Sequence, residues 1–252
     1  MPTEYLVTEQ DAIAYVNHCL IASAFLVAGY AGAIANLVPL WLMALIVVLA
    51  LPRWVINFHE LMHVYHPEQM NRFICVMGVS PIPLSVLTLS YGELRSLHFA
   101  HHRTPATEED PDSFHIHGPL WKVVLASLTA PEQRTFRWIN QHGLSRALAV
   151  DLGLKAVIFS LLAWLGGATF IWFWLCLRFV YGLSDFSFFR LVHCQNGDYG
   201  SFAVTSPQWL TSVAEFVWGQ AVVYATLNHD LHHLNPCIAV HRLPTARQTL
   251  LM

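Results

Sequence analysis

The chain has 252 residues, 55% of them hydrophobic and only 12% charged, with a mean hydropathy of +0.46. Soluble domains carry about 25% charged residues, so the polar surface here is too small to cover a globule in water, and an integral membrane protein is expected. A net charge of −3 gives no broad cationic surface for nucleic acid, and five scattered cysteines without a CxxC pair argue against a disulfide framework or a cysteine zinc site.

The N-terminus up to Asp11 is polar and acidic and lacks the basic region of a secretory signal. From Ala12 to Phe58 the only charge is Arg53. A span takes roughly 20 apolar residues, so this tract suits two spans, over 14–35 and 38–58, turning between Asn36 and Pro39. The first histidine cluster, His59-Glu60-Leu61-Met62-His63, follows at once. Met70 to Leu97 mixes apolar runs with Pro81 and Pro83 and reads as interfacial or re-entrant. It leads into the second cluster, His98-Phe99-Ala100-His101-His102. Pro119 to Ile139 has an amphipathic pattern suited to the membrane surface.

A second apolar tract runs from Leu144 to Phe189, interrupted by Gly166-Gly167. Two spans over 145–165 and 168–188 fit it, although Asp151, Lys155, Arg178 and Asp185 lie inside. Asp151 and Lys155 are four apart and can pair on one helix face. A single span over Val157–Leu177 is the alternative. Ser201 to Leu227 reads as a helix packed against the site, followed by the third cluster, His229-Asp230-Leu231-His232-His233.

The three clusters converge on one side of the bilayer only if both tracts are hairpins. Charge agrees. Arg72, Arg95, Arg103, Lys122, Arg134, Arg137, Arg242 and Arg247 lie in the histidine-bearing segments, and the two turns have no basic residue. By the positive-inside rule the histidine side and both termini are cytoplasmic. The expected fold is therefore one all-α integral membrane domain over residues 1–252. Four transmembrane helices in two hairpins carry a cytosolic helical cap with a histidine-rich di-metal site.

Histidines at i, i+3 and i+4 share a helix face, and adjacent ones diverge by about 100°. Each HxxHH cluster can therefore serve two metals. Eight imidazoles with few carboxylate partners favour a transition metal over magnesium or calcium. A pair of metals near lipid suits redox or oxygen chemistry. His59-Glu60-Leu61-Met62-His63 also satisfies HExxH, the zinc-protease helix with Glu60 as base, but a membrane zinc protease leaves six clustered histidines unexplained.

These three clusters, with His101-His102-Arg103-Thr104 leading to Asp110-Pro111-Asp112 and the ending His232-His233-Leu234-Asn235-Pro236, resemble the membrane fatty-acid desaturase superfamily, which includes lipid hydroxylases and carotenoid ketolases. The resemblance implies two iron ions at the cytosolic ends of four transmembrane helices, molecular oxygen as co-substrate, and oxidation of a lipid or acyl C–H bond. It also implies a ninth histidine, placed at His193. By analogy with the animal acyl desaturases, one iron takes His59, His98, His102 and His232, and the other His63, His101, His193, His229 and His233. Asp110, Asp112, Asn228 and Asp230 are candidates to orient these imidazoles.

Desaturation of a fatty acyl chain is the expected reaction, with hydroxylation or ketolation of a lipid or carotenoid as the alternative. No His-Pro-Gly-Gly haem segment occurs, so electrons are expected from a separate ferredoxin or cytochrome b5. Of the remaining histidines, His18 is expected to be structural, and His66, His115 and His117 either to support the ligands from behind or to lie on the surface, with the surface favoured. Trp172, Trp174 and Trp218 are expected to serve packing.

Overall fold

A computed structural model describes residues 2–250, almost entirely as helices. Helix α1 (Glu9–Ile34) starts at a capping box. The Thr8 hydroxyl accepts from Asp11 N, and the Asp11 carboxylate accepts from Thr8 N at 2.8 Å. It packs along α2 (Leu40–Val64) after a turn at Asn36, whose positive φ of 58° suits asparagine. α2 contains Pro52 and runs straight through the first histidine cluster.

Short α3 (Arg72–Met77) leads into residues 78–90, which form no helix yet are mostly buried, and then into α4 (Tyr91–Arg103), which carries the second cluster. Buried non-helical backbone needs internal partners. Side chains from the second apolar tract supply them: Lys155 donates to the Thr88 carbonyl and Trp174 Nε1 to the Leu84 carbonyl at 2.6 Å. Asp151 accepts from Ser90 at 2.7 Å and from Arg72. The expected Asp151–Lys155 pair does not form, because each reaches across to this buried segment instead.

Two short helices, α5 (Leu120–Leu128) and α6 (Ala130–His142), replace the single amphipathic stretch expected from Pro119 to Ile139. The second apolar tract is α7 (Arg146–Gly166) and α8 (Ala168–Phe186), broken at Gly167 with φ of 50°. Phe159 and Trp174 rings lie 6.3 Å apart, whereas a continuous helix would separate these positions by about 22 Å. The chain therefore turns back, and no straight helix covers Val157–Leu177. Three helices, α1, α2 and α7, are long and apolar enough to cross a membrane. α8, which carries Arg178 and Asp185, is not among them.

After α8 come a π-helical turn at Ser187–Leu191, a two-strand ribbon of β1 (Cys194–Gln195) and β2 (Asp198–Tyr199), and α9 (Gln208–Trp218). The chain then continues through α10 (Gln220–Leu227), α11 (His229–Leu234) and α12 (Leu243–Leu250). The helix expected over Ser201–Leu227 is thus an extended segment and two helices divided at Gly219. Chain ends meet: Val7 N donates to the Cys237 carbonyl and Ala239 N to the Tyr5 carbonyl, both at 2.9 Å. The N-terminal segment therefore lies beside the segment that follows the third cluster.

The α1–α7 contact is tight. Tyr30 stacks on Phe173 at 4.7 Å, and its hydroxyl donates to the Leu162 carbonyl at 2.5 Å. A Cβ at Gly166 would run into that hydroxyl and lie 2.9 Å from Tyr30 Cζ. Since the ring is buried and held at both ends, it has little room to yield. Gly166→Ala is expected to cost about 1–3 kcal/mol, read as a lowered thermal midpoint in detergent.

Candidate metal centre

All nine predicted histidines come together. Helix α2 supplies His59 and His63, and α4 supplies His98, His101 and His102. α11 supplies His229, His232 and His233, and His193 follows the π-helical turn after α8. Such π-helical insertions are frequent at functional sites. Ligand-capable nitrogens fall into two sets, each within 4.8 Å: His59, His63, His98, His102 and His232 in one, and His101, His193, His229 and His233 in the other. His63 thus sits in the first set, where the division by analogy had put it in the second. Its Nε2 lies 2.8 Å from His98 Nε2. The sets adjoin, with His102 and His233 stacked at 4.1 Å.

The spacing of the nitrogens tests whether a metal fits. His98 Nε2 is 2.8 Å from His63 Nε2 and 3.0 Å from His102 Nε2. His193 Nε2 is 3.1 Å from both His101 and His229, and His229 is 3.0 Å from His233. An imidazole nitrogen has one in-plane direction, for a proton or a lone pair, and cannot bond linearly to two neighbours. Ligands held about 2.0–2.1 Å from a common ion at right angles lie about 3 Å apart, so the observed spacing suits nitrogens aimed at a shared centre. The buried Nε2 atoms of His59 and His232 have no protein partner at all. The donor set therefore fits two metal ions.

The electrostatics favour the ligating form. Burial, reinforced by neighbouring imidazoles, holds His102 down to about 2, and burial and His101 hold His193 down to about 3. Burial followed by the surrounding histidines pushes His98, His229 and His232 well below the usual value. All of these rings are neutral at physiological pH, with a lone pair available.

Partners on the far side of the rings fix three tautomers. His101 Nδ1 donates to Asp110 at 2.7 Å. That carboxylate is itself held by Ala106 N at 2.7 Å and Asp112 N at 2.8 Å. His59 Nδ1 donates to buried Glu60 at 3.0 Å, and His193 Nδ1 to the Gly200 carbonyl at 2.7 Å. In each case Nε2 is left to face the cluster. Asp110→Asn is expected to let the His101 ring turn, weakening metal retention about 10–100-fold, read by competition with a chelator.

Two of these partners escape a sequence reading. Glu60 looked like part of HExxH, whereas here it accepts from the neighbouring imidazole. Gly200 reaches His193 because Asn196-Gly197, with φ values of 54° and 95°, turns the ribbon back. Asn-Gly is the usual signal for such a turn, and the sequence carries it. Three candidates make other hydrogen bonds. Asn228 and Asp230 do not touch an imidazole; both accept from Arg247, at 2.7 Å in the case of Asn228. Asp112 lies in one group with His101 and Asp110, but its Oδ1 accepts from Arg134 Nε at 2.7 Å and from His115 Nε2 at 3.2 Å.

His115, expected on the surface, is fully buried, and its Nδ1 donates to Asp185 at 2.6 Å. His66 is exposed as expected, while His117 is half-buried and donates to the Ala106 carbonyl. His18, expected to be structural, is exposed and lines a cavity. Of the tryptophans, Trp174 packs against Phe159 and the core, Trp172 is exposed, and Trp218 also lines cavities.

A cavity of about 610 Å³ reaches this centre, with His59 and His98 in its wall. α2, α4, α8, α9 and α10 form it. Most of the lining is apolar, including Val55, Met62, Leu97 and Phe188. Arg134, its one guanidinium, is already paired with Asp112 and Asp185.

No family model, no curated protein and no solved structure matches the chain.

Proposed function

We propose that this protein is an integral membrane oxidoreductase that oxidises a lipid C–H bond at a di-iron centre, most simply by desaturating a fatty acyl chain. The observation that carries the proposal is the pairing of two convergent imidazole sets with a largely apolar cavity that ends on His59 and His98. When bound, the two irons supply activation of dioxygen. With two electrons and two protons, dioxygen takes one hydrogen from each of two adjacent carbons, leaving a double bond and two waters.

The chain's own residues hold, orient and exclude. Neutral imidazoles let a metal site be buried near lipid without a cluster of carboxylate charge. Asp110, Glu60 and the Gly200 carbonyl aim three of the rings. Val55, Met62 and Phe188 keep water from the reacting carbons and accept an alkyl chain. Arg134 is neutralised by its own carboxylates and so makes no demand for a charged substrate group in the cavity.

In this reading α1 with α2, and α7 with α8, are two transmembrane hairpins. The histidine side is cytoplasmic, in keeping with the basic residues there. Pairing of residues 5–7 with 237–239 supports placing the N-terminus and the third cluster on one side. A separate ferredoxin or cytochrome b5 would deliver the electrons.

Expression in a host lacking the activity, with mass spectrometry of total lipids and pigments, tests the reaction. Acyl chains that have lost two hydrogens are the expected product. A gain of one oxygen would replace desaturation by hydroxylation. An unchanged lipid profile from iron-loaded protein supplied with a competent donor would refute the oxidation altogether.

A further inference from the structure

A second cavity, of about 590 Å³, lies around α2 from the first. Val48, Pro52, Val55 and His59 face the first cavity; Ile46, Leu49, Arg53 and Asn57 line the second, on the opposite stripe of the helix. α1 and the start of α10 complete its walls. Toward the middle of α1 and α2 the lining is hydrocarbon, with Phe25, Ile46 and Leu49. Toward the histidine end it is polar, with His18, Arg53 and Asn57.

Two polar groups here are only partly satisfied by the protein. Arg53 is exposed within a helix long and apolar enough to cross a membrane. It donates to the Val217 carbonyl at 2.8 Å, and among the described residues no carboxylate forms an ion pair with it. A guanidinium in such a helix requires a counter-charge or water. Asn57 is 2% exposed; its Nδ2 donates to the Arg53 carbonyl at 2.7 Å, which fixes the amide and leaves buried Oδ1 without a donor. Asp11 also lines the polar end, but Thr8 holds its carboxylate, which faces Arg242 at 3.4 Å and His241 at 3.8 Å.

One ligand satisfies both groups and the apolar floor. We infer that this cavity binds a phospholipid with an anionic, hydroxyl-bearing headgroup: phosphate against Arg53, a headgroup hydroxyl donating to Asn57 Oδ1, and an acyl chain along Leu49, Ile46 and Phe25. The inference rests on the membrane placement proposed above and not on the metal chemistry. Basic pockets at the cytoplasmic ends of transmembrane helices favour anionic headgroups. The hydrocarbon floor selects a lipid over free phosphate. Trp218 lines both cavities, so the bound lipid would abut the wall of the substrate cavity.

The test is native mass spectrometry of the full-length protein titrated with phosphatidylglycerol, phosphatidylcholine or inorganic phosphate. Wild type is expected to prefer phosphatidylglycerol. Arg53→Gln is expected to weaken that binding about fivefold or more, Arg53→Lys to keep much of it, and Asn57→Leu to reduce the preference for the hydroxyl-bearing head. Equal affinity for the two lipids, or unchanged binding in Arg53→Gln, would overturn the proposal. So would inorganic phosphate that competes as strongly as the lipid. Membrane insertion and metal content of the same preparations report separately on the proposed function.

Discussion

Replacing His193 with alanine is expected to strip one metal position and end turnover while the chain still inserts and folds. His193 Nε2 stands 3.1 Å from both His101 and His229, so it joins the α4 and α11 imidazoles of its set. Without it three imidazoles remain at that position and five at the other. Loss of an outer partner alone costs roughly 10–100-fold in metal affinity, and loss of a ligand is expected to cost more. Bound metal should fall by about half, measured by elemental analysis of purified protein. His102→Ala and His233→Ala, one from each set, should likewise abolish lipid oxidation. Full activity with an undiminished metal load in any of the three would remove that residue from the ligand set.

Arg134→Met is expected to be the most destabilising single change outside the histidines. Arg134 is buried, bonding Asp112 at 2.7 Å, the Tyr181 hydroxyl at 2.9 Å and Asp185 at 3.2 Å. It ties α6 to α8 and to the loop after α4. Removing it leaves two buried carboxylates to share one imidazole, His115, with only the Tyr181 hydroxyl besides, on Asp185, and breaking a buried pair in this way costs about 3–5 kcal/mol. A drop in the unfolding midpoint in detergent measures this.

The penalty comes from stranded charge more than from a lost attraction. Adding Asp185→Leu to Arg134→Met should therefore recover part of the loss, so that the double variant is less impaired than the two single changes summed. Strict additivity would show that the groups are not coupled.

His115 gives the same network a pH signature. Burial opposes its charge, but the Asp185 carboxylate and hydrogen bonds to Asp112 and Asp185 outweigh it and raise the imidazole above its usual value. A raised folded value means that the stabilisation is complete below the unfolded value of about 6.5 and is lost as pH climbs through the folded one. His115→Gln should flatten that decline.

The features legible in the sequence are those with a local pattern. Apolar runs marked α1, α2 and α7, and helical spacing marked the eight clustered histidines. His193 was reached only through resemblance, since a lone histidine carries no spacing signal. Features missed depend on partners distant in the chain. Nothing near His115 tells that it is closed in by Asp185. Asn228 and Asp230 flank ligands, but their side-chain oxygens accept from Arg247, which lies on α12. Helical spacing matches Lys155 with Asp151, yet the Thr88 carbonyl in the buried segment claims it. Helix α9 stops before Gly219, whose φ of 85° divides an otherwise apolar stretch.

The most direct test of the central claim is the metal content of the protein purified from iron-replete cells. Two iron ions per chain are expected, falling to about one in His193→Ala. A single zinc ion with no iron, unchanged by loss of His193, would contradict the di-iron centre and leave the nine histidines without the role proposed for them.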